Sequence, residues 1–109
     1  MIQALTNRLL DFTPKNPDES LPQAAVLILC YEKDNDLYFV MTERSNSLPS
    51  HPGEVAFPGG KREKKDKNLK QTALREATEE ISLDPAKVEI LGQLDPLESR
   101  FGLSVTPFV

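Results

Sequence analysis

Leu69-Lys70-Gln71-Thr72-Ala73-Leu74-Arg75-Glu76-Ala77-Thr78-Glu79-Glu80-Ile81 contains neither Gly nor Pro and places its apolar residues at helical spacing. On an α-helix, Leu69, Ala73, Leu74, Ala77 and Ile81 gather into one stripe fit to face a core. Glu76, Glu79 and Glu80 form a contiguous acidic arc beside it. Their i, i+3, i+4 spacing brings the carboxylates within reach of one another, at a few tenths of a kcal/mol per like-charge pair. Asn68, followed by Gln71, reads as a capping-box variant that fixes the helix start. Both helix ends are electrostatically uphill. Glu79 and Glu80 lie where the helix dipole disfavours anions, and Lys67 and Lys70 where it disfavours cations. Such local violations concentrate at functional sites. The arc is either a solvated face or a seat for a divalent cation, which relieves the repulsion and takes carboxylate oxygens as natural ligands.

Moving outward, Ala24 to Tyr31 is a continuous apolar run of strand length, and Leu37 to Thr42 is a second. The turn formers between them, Glu32 to Asp36, make the pair a hairpin. Glu54 to Phe57 reads as a short strand stopped by Pro58-Gly59-Gly60, a turn at which bare backbone can approach a metal or phosphate closely. Val88 to Leu94 and Leu103 to Val109 read as further strands. Ile2 to Asp11 has helical spacing, and Thr13 to Gln23 is a polar connector. The order predicts an α+β domain, a mixed sheet with a helix packed on it. Residues 1–23 form the N-terminal helix and connector, and residues 24–109 form the domain proper.

Composition narrows the functional classes. The chain has 109 residues, 39% of them hydrophobic, and a net charge of −4. That length and apolar content suffice for one core without disulfide staples. The acidic balance argues against a whole-chain nucleic-acid binder. Cys30 is the single cysteine, so a reducing, cytoplasmic setting is expected. No apolar run approaches the roughly 20 residues of a membrane span. The charge is unevenly spread. Residues 61–70 carry six basic and two acidic side chains, whereas the flanking segments are each net −4. The basic block is either a solvated loop or a landing strip for a phosphorylated ligand.

Gly60, Asp66 and Arg75-Glu76-Ala77-Thr78-Glu79-Glu80-Ile81-Ser82-Leu83 resemble the box of the Nudix hydrolases: a glycine, an acidic residue, then R-E-U-x-E-E-x-G-U with U aliphatic. The Gly60–Arg75 interval is one residue longer than the commonest version, Asp66 replaces a glutamate, and Ser82 stands at the second glycine. The first two departures resemble the branch that hydrolyses coenzyme A. Met41-Thr42-Glu43-Arg44-Ser45, Gly53 and Phe57-Pro58-Gly59-Gly60 are similar to the extra motif of that branch, with Pro49 where an arginine is usual. The resemblance covers roughly Ala24 to Val109 and implies a Nudix-like mixed sheet.

It further implies a pyrophosphohydrolase dependent on Mg²⁺ or Mn²⁺, cleaving coenzyme A or a derivative to 3′,5′-ADP and 4′-phosphopantetheine. The alternatives are action on another nucleoside diphosphate derivative, or an inactive nucleotide- or metal-binding module. By the same resemblance, Glu76, Glu79 and Glu80 hold the metals with the Gly60 carbonyl. Arg75 completes the catalytic set by orienting the glutamates, and Arg44, Gly59 and Gly60 bind substrate. Relatives of this branch continue past Val109. The uncapped apolar run at Leu103–Val109 is therefore expected to reflect a fragment or, as an exposed strand edge, to pair with a second copy.

Overall fold

The computed structural model describes residues 1–43, 55–99 and 102–109. The elements run α1 (Ile2–Asp11), β1 (Gln23–Leu27), β2 (Cys30–Lys33), β3 (Asp36–Phe39), β4 (Thr42–Glu43), β5 (Val55–Ala56), β6 (Gly59–Lys61), α2 (Leu69–Ile81), a 3₁₀ turn at Pro85–Lys87, β7 (Leu97–Glu98) and β8 (Ser104–Phe108). The main sheet has the order β6-β1-β8-β7 and is mixed. β1 pairs antiparallel with β6, placing Ala25 opposite Gly60, and parallel with β8, placing Ala25 opposite Thr106. The predicted α+β class holds.

Helix α2 lies across β1 and β6. Its apolar stripe makes this possible, because Ala73 and Ala77 are fully buried and small enough to bring the helix close to the sheet. They share the core with Ala25, Leu27 and Phe108, and Leu29, Leu69, Leu74, Leu83 and Ile90 pack around them. The sequence-predicted bounds of this helix match those observed.

Several strands differ from expectation. The apolar run from Ala24 is broken after Leu27, where the chain leaves the main sheet for the separate β2–β3 hairpin. Leu29 still packs on the core, so hydrophobicity stays continuous while the pairing partner changes. A hairpin forms at the predicted place but is shorter and shifted: Glu32, Lys33 and Asp36 are strand residues rather than turn, and the second run ends at Phe39, with Thr42 going to β4. Asp34 and Asn35 take positive φ of 53° and 66°, as a two-residue turn requires. Gly59 and Gly60 are not a turn; they form β6 and pair with Val26 and Ala25.

Val88–Leu94 is not a strand. The Leu94 N–H donates to the Pro107 carbonyl at 2.9 Å, but proline has no N–H to return, so a regular ladder against β8 fails there. What survives is a single Gln93–Phe108 bridge and backbone bonds between Leu91–Gly92 and Val109. The run ending at Val109 is not an exposed edge either. β8 lies inside the sheet between β1 and β7, and Phe108 and Val109 are buried. The physical basis for pairing two copies through that strand is thereby removed. No helix among the described residues is long and apolar enough to cross a membrane.

Candidate active site

Asn68 caps α2 by accepting from the Gln71 N–H at 2.9 Å, and the Gln71 side chain reaches back to the Lys67 N–H at 3.0 Å, one residue before the usual capping-box partner. At the other end Ser82 takes a left-handed conformation, φ 55° and ψ 35°, with its N–H on the Thr78 carbonyl at 3.0 Å. That backbone state explains why the resembling motif has glycine here.

Between these ends, Arg75 is the hub. Its guanidinium grips Asp66 through two bonds, Nε to Oδ1 at 2.9 Å and Nη2 to Oδ2 at 3.0 Å. Nη2 also donates to the Lys61 carbonyl at 3.0 Å, tying the helix to the end of β6. Nη1 donates to Glu76 Oε1 at 2.9 Å and lies 3.4 Å from Glu79 Oε1 and 3.6 Å from Glu63 Oε1. Asp66 is buried and fully satisfied, since Oδ2 also accepts from the Glu63 N–H and the Thr72 hydroxyl, both at 2.9 Å. The Arg75 guanidinium holds the Asp66 carboxyl well below the usual carboxylate range. Burial opposes this, and the Glu63 and Thr72 bonds assist. Asp66 in turn raises the Arg75 pKa. Lys61, Glu63 and Thr72 were not expected as partners of this pair. A carbonyl at the end of a strand and a threonine on a helix carry no sequence signal of their own.

The glutamates divide between two neighbours. Glu76 lies over the backbone of β6: a methyl group built on Gly60 would come within 2.5 Å of its Cδ and 2.6 Å of its Oε1. A side chain on Gly59 would strike the Ala25 carbonyl and Val26. Both glycines are therefore dictated by close approach. The Glu80 carboxyl has its pKa pushed up, first by partial burial, then by the nearby charges of Glu76 and Glu79, with the Gly59 backbone amide opposing. Glu79 is exposed and faces Arg75. The structure thus brings Arg75, Glu76, Glu79, Glu80, Gly59 and Gly60 into one region. Arg44, Pro49 and Gly53 lie outside the described residues.

Sequence reasoning assigned relief of the acidic arc to a cation; Arg75 already supplies part of it, to Glu76 and Glu79. Among the described residues no three His, Cys, Asp or Glu side chains converge closely enough to hold an ion as they stand. The chemistry of the donors nevertheless fits a hard divalent cation. All are oxygens, Glu76 sits against a backbone stripped of side chains, and Glu80 feels the like charges of Glu76 and Glu79.

A family model described as "NUDIX domain" matches residues 21–107. The chain belongs to the Nudix domain family. This Nudix chain is 47% identical over 97 residues to "Nudix hydrolase 15, mitochondrial" of Arabidopsis thaliana, covering 87% of this chain and 34% of that protein. It is 48% identical over 98 residues to "Uncharacterized Nudix hydrolase NudL" of Photorhabdus laumondii, covering 88% and 51%. The chain thus spans a third to a half of the length of these curated relatives. Among solved structures it is similar to the NUDIX domain of Shewanella oneidensis NrtR complexed with ADP ribose. The TM-score is 0.62 at 21% identity, with 94% of this chain and 66% of that chain covered. The shared fold is the Nudix sheet and helix. As a class, Nudix enzymes use divalent metal ions.

Proposed function

We propose that this protein is a metal-dependent pyrophosphohydrolase that cleaves a diphosphate linkage, with coenzyme A or a derivative as its substrate. The observation that carries the reading is the seat of Glu76 on the bare backbone of Gly60, with Glu80 beside it. Glu76, Glu79 and Glu80, with the Gly60 carbonyl, are the residues that would hold Mg²⁺ or Mn²⁺. Such ions supply an activated water and neutralise charge on the leaving phosphate. The chain's own residues do the positioning. Asp66 fixes Arg75, Arg75 fixes Glu76, and Gly59 and Gly60 are assigned to the substrate from their place in the motif. Arg44 is assigned to a substrate phosphate from its place in the second motif. A reducing, cytoplasmic setting belongs to the same proposal.

Incubating the purified chain with coenzyme A and Mg²⁺ or Mn²⁺ should release 3′,5′-ADP and 4′-phosphopantetheine, and Glu80→Gln should lose at least 100-fold in rate, about 2.7 kcal/mol of barrier. No product from coenzyme A or from other nucleoside diphosphate derivatives would reject the enzyme. Full activity in Glu80→Gln would reject the site. The engagement of Glu76 and Glu79 by Arg75 favours a second reading, a nucleotide- or metal-binding module. Its signature is tight calorimetric binding without turnover.

A further inference from the structure

The cationic side chains of the block at residues 61–70 have no part in the chemistry above, and the block's internal pairing is unequal. Both of its acids are engaged: Asp66 by Arg75, and Glu63 by Lys65 at 3.3 Å and Arg75 at 3.6 Å. Its lysines, apart from Lys65, are not. The side chains of Lys61, Lys64, Lys67 and Lys70 form no ion pair with any described residue. Arg62 donates to two carbonyls, those of Asp66 and Lys67, at 3.2 Å each, so its charge also lacks a counter-ion among the described residues.

Three of these cations, Lys61, Arg62 and Lys64, line an open groove of about 500 Å³, within the size range of small-molecule sites. Leu21, Pro22 and Gln23 complete the lining beside them, and this segment is held in place. The Arg62 N–H donates to the Gln23 carbonyl at 2.9 Å, and the Gln23 amide donates to the carbonyls of Asp18 and Leu21 at 2.7 and 2.9 Å. The carboxylates bordering the groove are the already paired Glu63 and Asp66. The groove adjoins the glutamates. Lys61 follows Gly60 on β6, and the Arg75–Asp66 pair partitions the groove from Glu76.

We propose that this groove binds a phosphate monoester that the substrate carries at a distance from the diphosphate to be cleaved. A dianion supplies what the three cations lack, and charge-assisted hydrogen bonds to it strengthen binding. The inference rests on the hydrolase reading for the source of the phosphate, while the site itself is tested by binding alone.

Calorimetry of the metal-free chain with 3′,5′-ADP and with AMP is the experiment. The bisphosphate should bind about tenfold more tightly than the monophosphate. The double substitution Lys61→Gln, Lys64→Gln should abolish that preference without lowering the melting temperature, and Glu80→Gln should retain it. Equal affinities for the two nucleotides would overturn the proposal, as would a preference that survives the double substitution. A preference without turnover of coenzyme A or of any other nucleoside diphosphate derivative would sink the hydrolase reading and leave the groove standing; turnover without preference would do the reverse.

Discussion

Gly60 shows how much one missing methyl group can decide. The Glu76 carboxylate occupies the space a Cβ would need, so the residue opposite Ala25 in β6 cannot carry a side chain without displacing a candidate ligand. Gly60→Ala should therefore leave the fold in place and lower Mn²⁺ affinity by roughly 10- to 100-fold, the usual penalty for disturbing the support of a ligand. Calorimetric titration of the two proteins checks this, and unchanged affinity would remove Glu76 from the site. The identity of Gly60 was legible from the motif, but the reason for it was not. The sequence reading treated the glycine as a turn, whereas the constraint comes from a carboxylate sixteen positions downstream.

Among the elements, α2 was the most readable because three independent signals coincided: apolar periodicity, the Asn68 cap and the absence of breakers. Its C-terminal end carries a local strain. Ser82 holds a positive φ that an L-residue adopts at roughly 1 kcal/mol or more. Ser82→Gly should accordingly raise stability by about 1 kcal/mol, read as a melting temperature several degrees higher. A decrease would show that the serine side chain contributes more than its backbone conformation costs. The strands were less legible, and each miss has its own physical cause. The run from Ala24 changes sheets while remaining partly buried, which hydrophobicity does not register. Val88–Leu94 has strand composition but faces Pro107, a partner without a donor, and no pattern within the segment itself reveals that. For the site, the residue types in the Arg75–Glu80 cluster were legible, whereas the seating of Glu76 between Arg75 and Gly60, with Glu80 against Gly59 and Glu79 left exposed beside Arg75, emerged only from packing.

For the molecule as a whole, Asp66 links the loop after β6 to α2, and its depressed pKa makes stability depend on pH in a definite direction. An unfolded aspartate titrates near 3.9, and the folded group well below that. The stabilisation is therefore complete above the unfolded value and is lost as pH falls toward the folded one. Asp66→Asn, which leaves Arg75 without its buried partner, should cost about 3 kcal/mol at pH 7. The gap to the native chain should narrow progressively below about pH 4, as measured by urea midpoints. A gap independent of pH would mean that shape rather than charge holds the loop.

The parallel pairing of β1 with β8 joins residues 23–27 to residues 104–108, about 80 positions further along the sequence. Contacts of such sequence separation fold slowly. On the ribosome, Ala25 and Leu27 emerge about 80 residues ahead of their β8 neighbours, Thr106 and Phe108. Until that segment follows, the nascent chain holds this side of its future interior open, an interval in which chaperone capture competes with native closure.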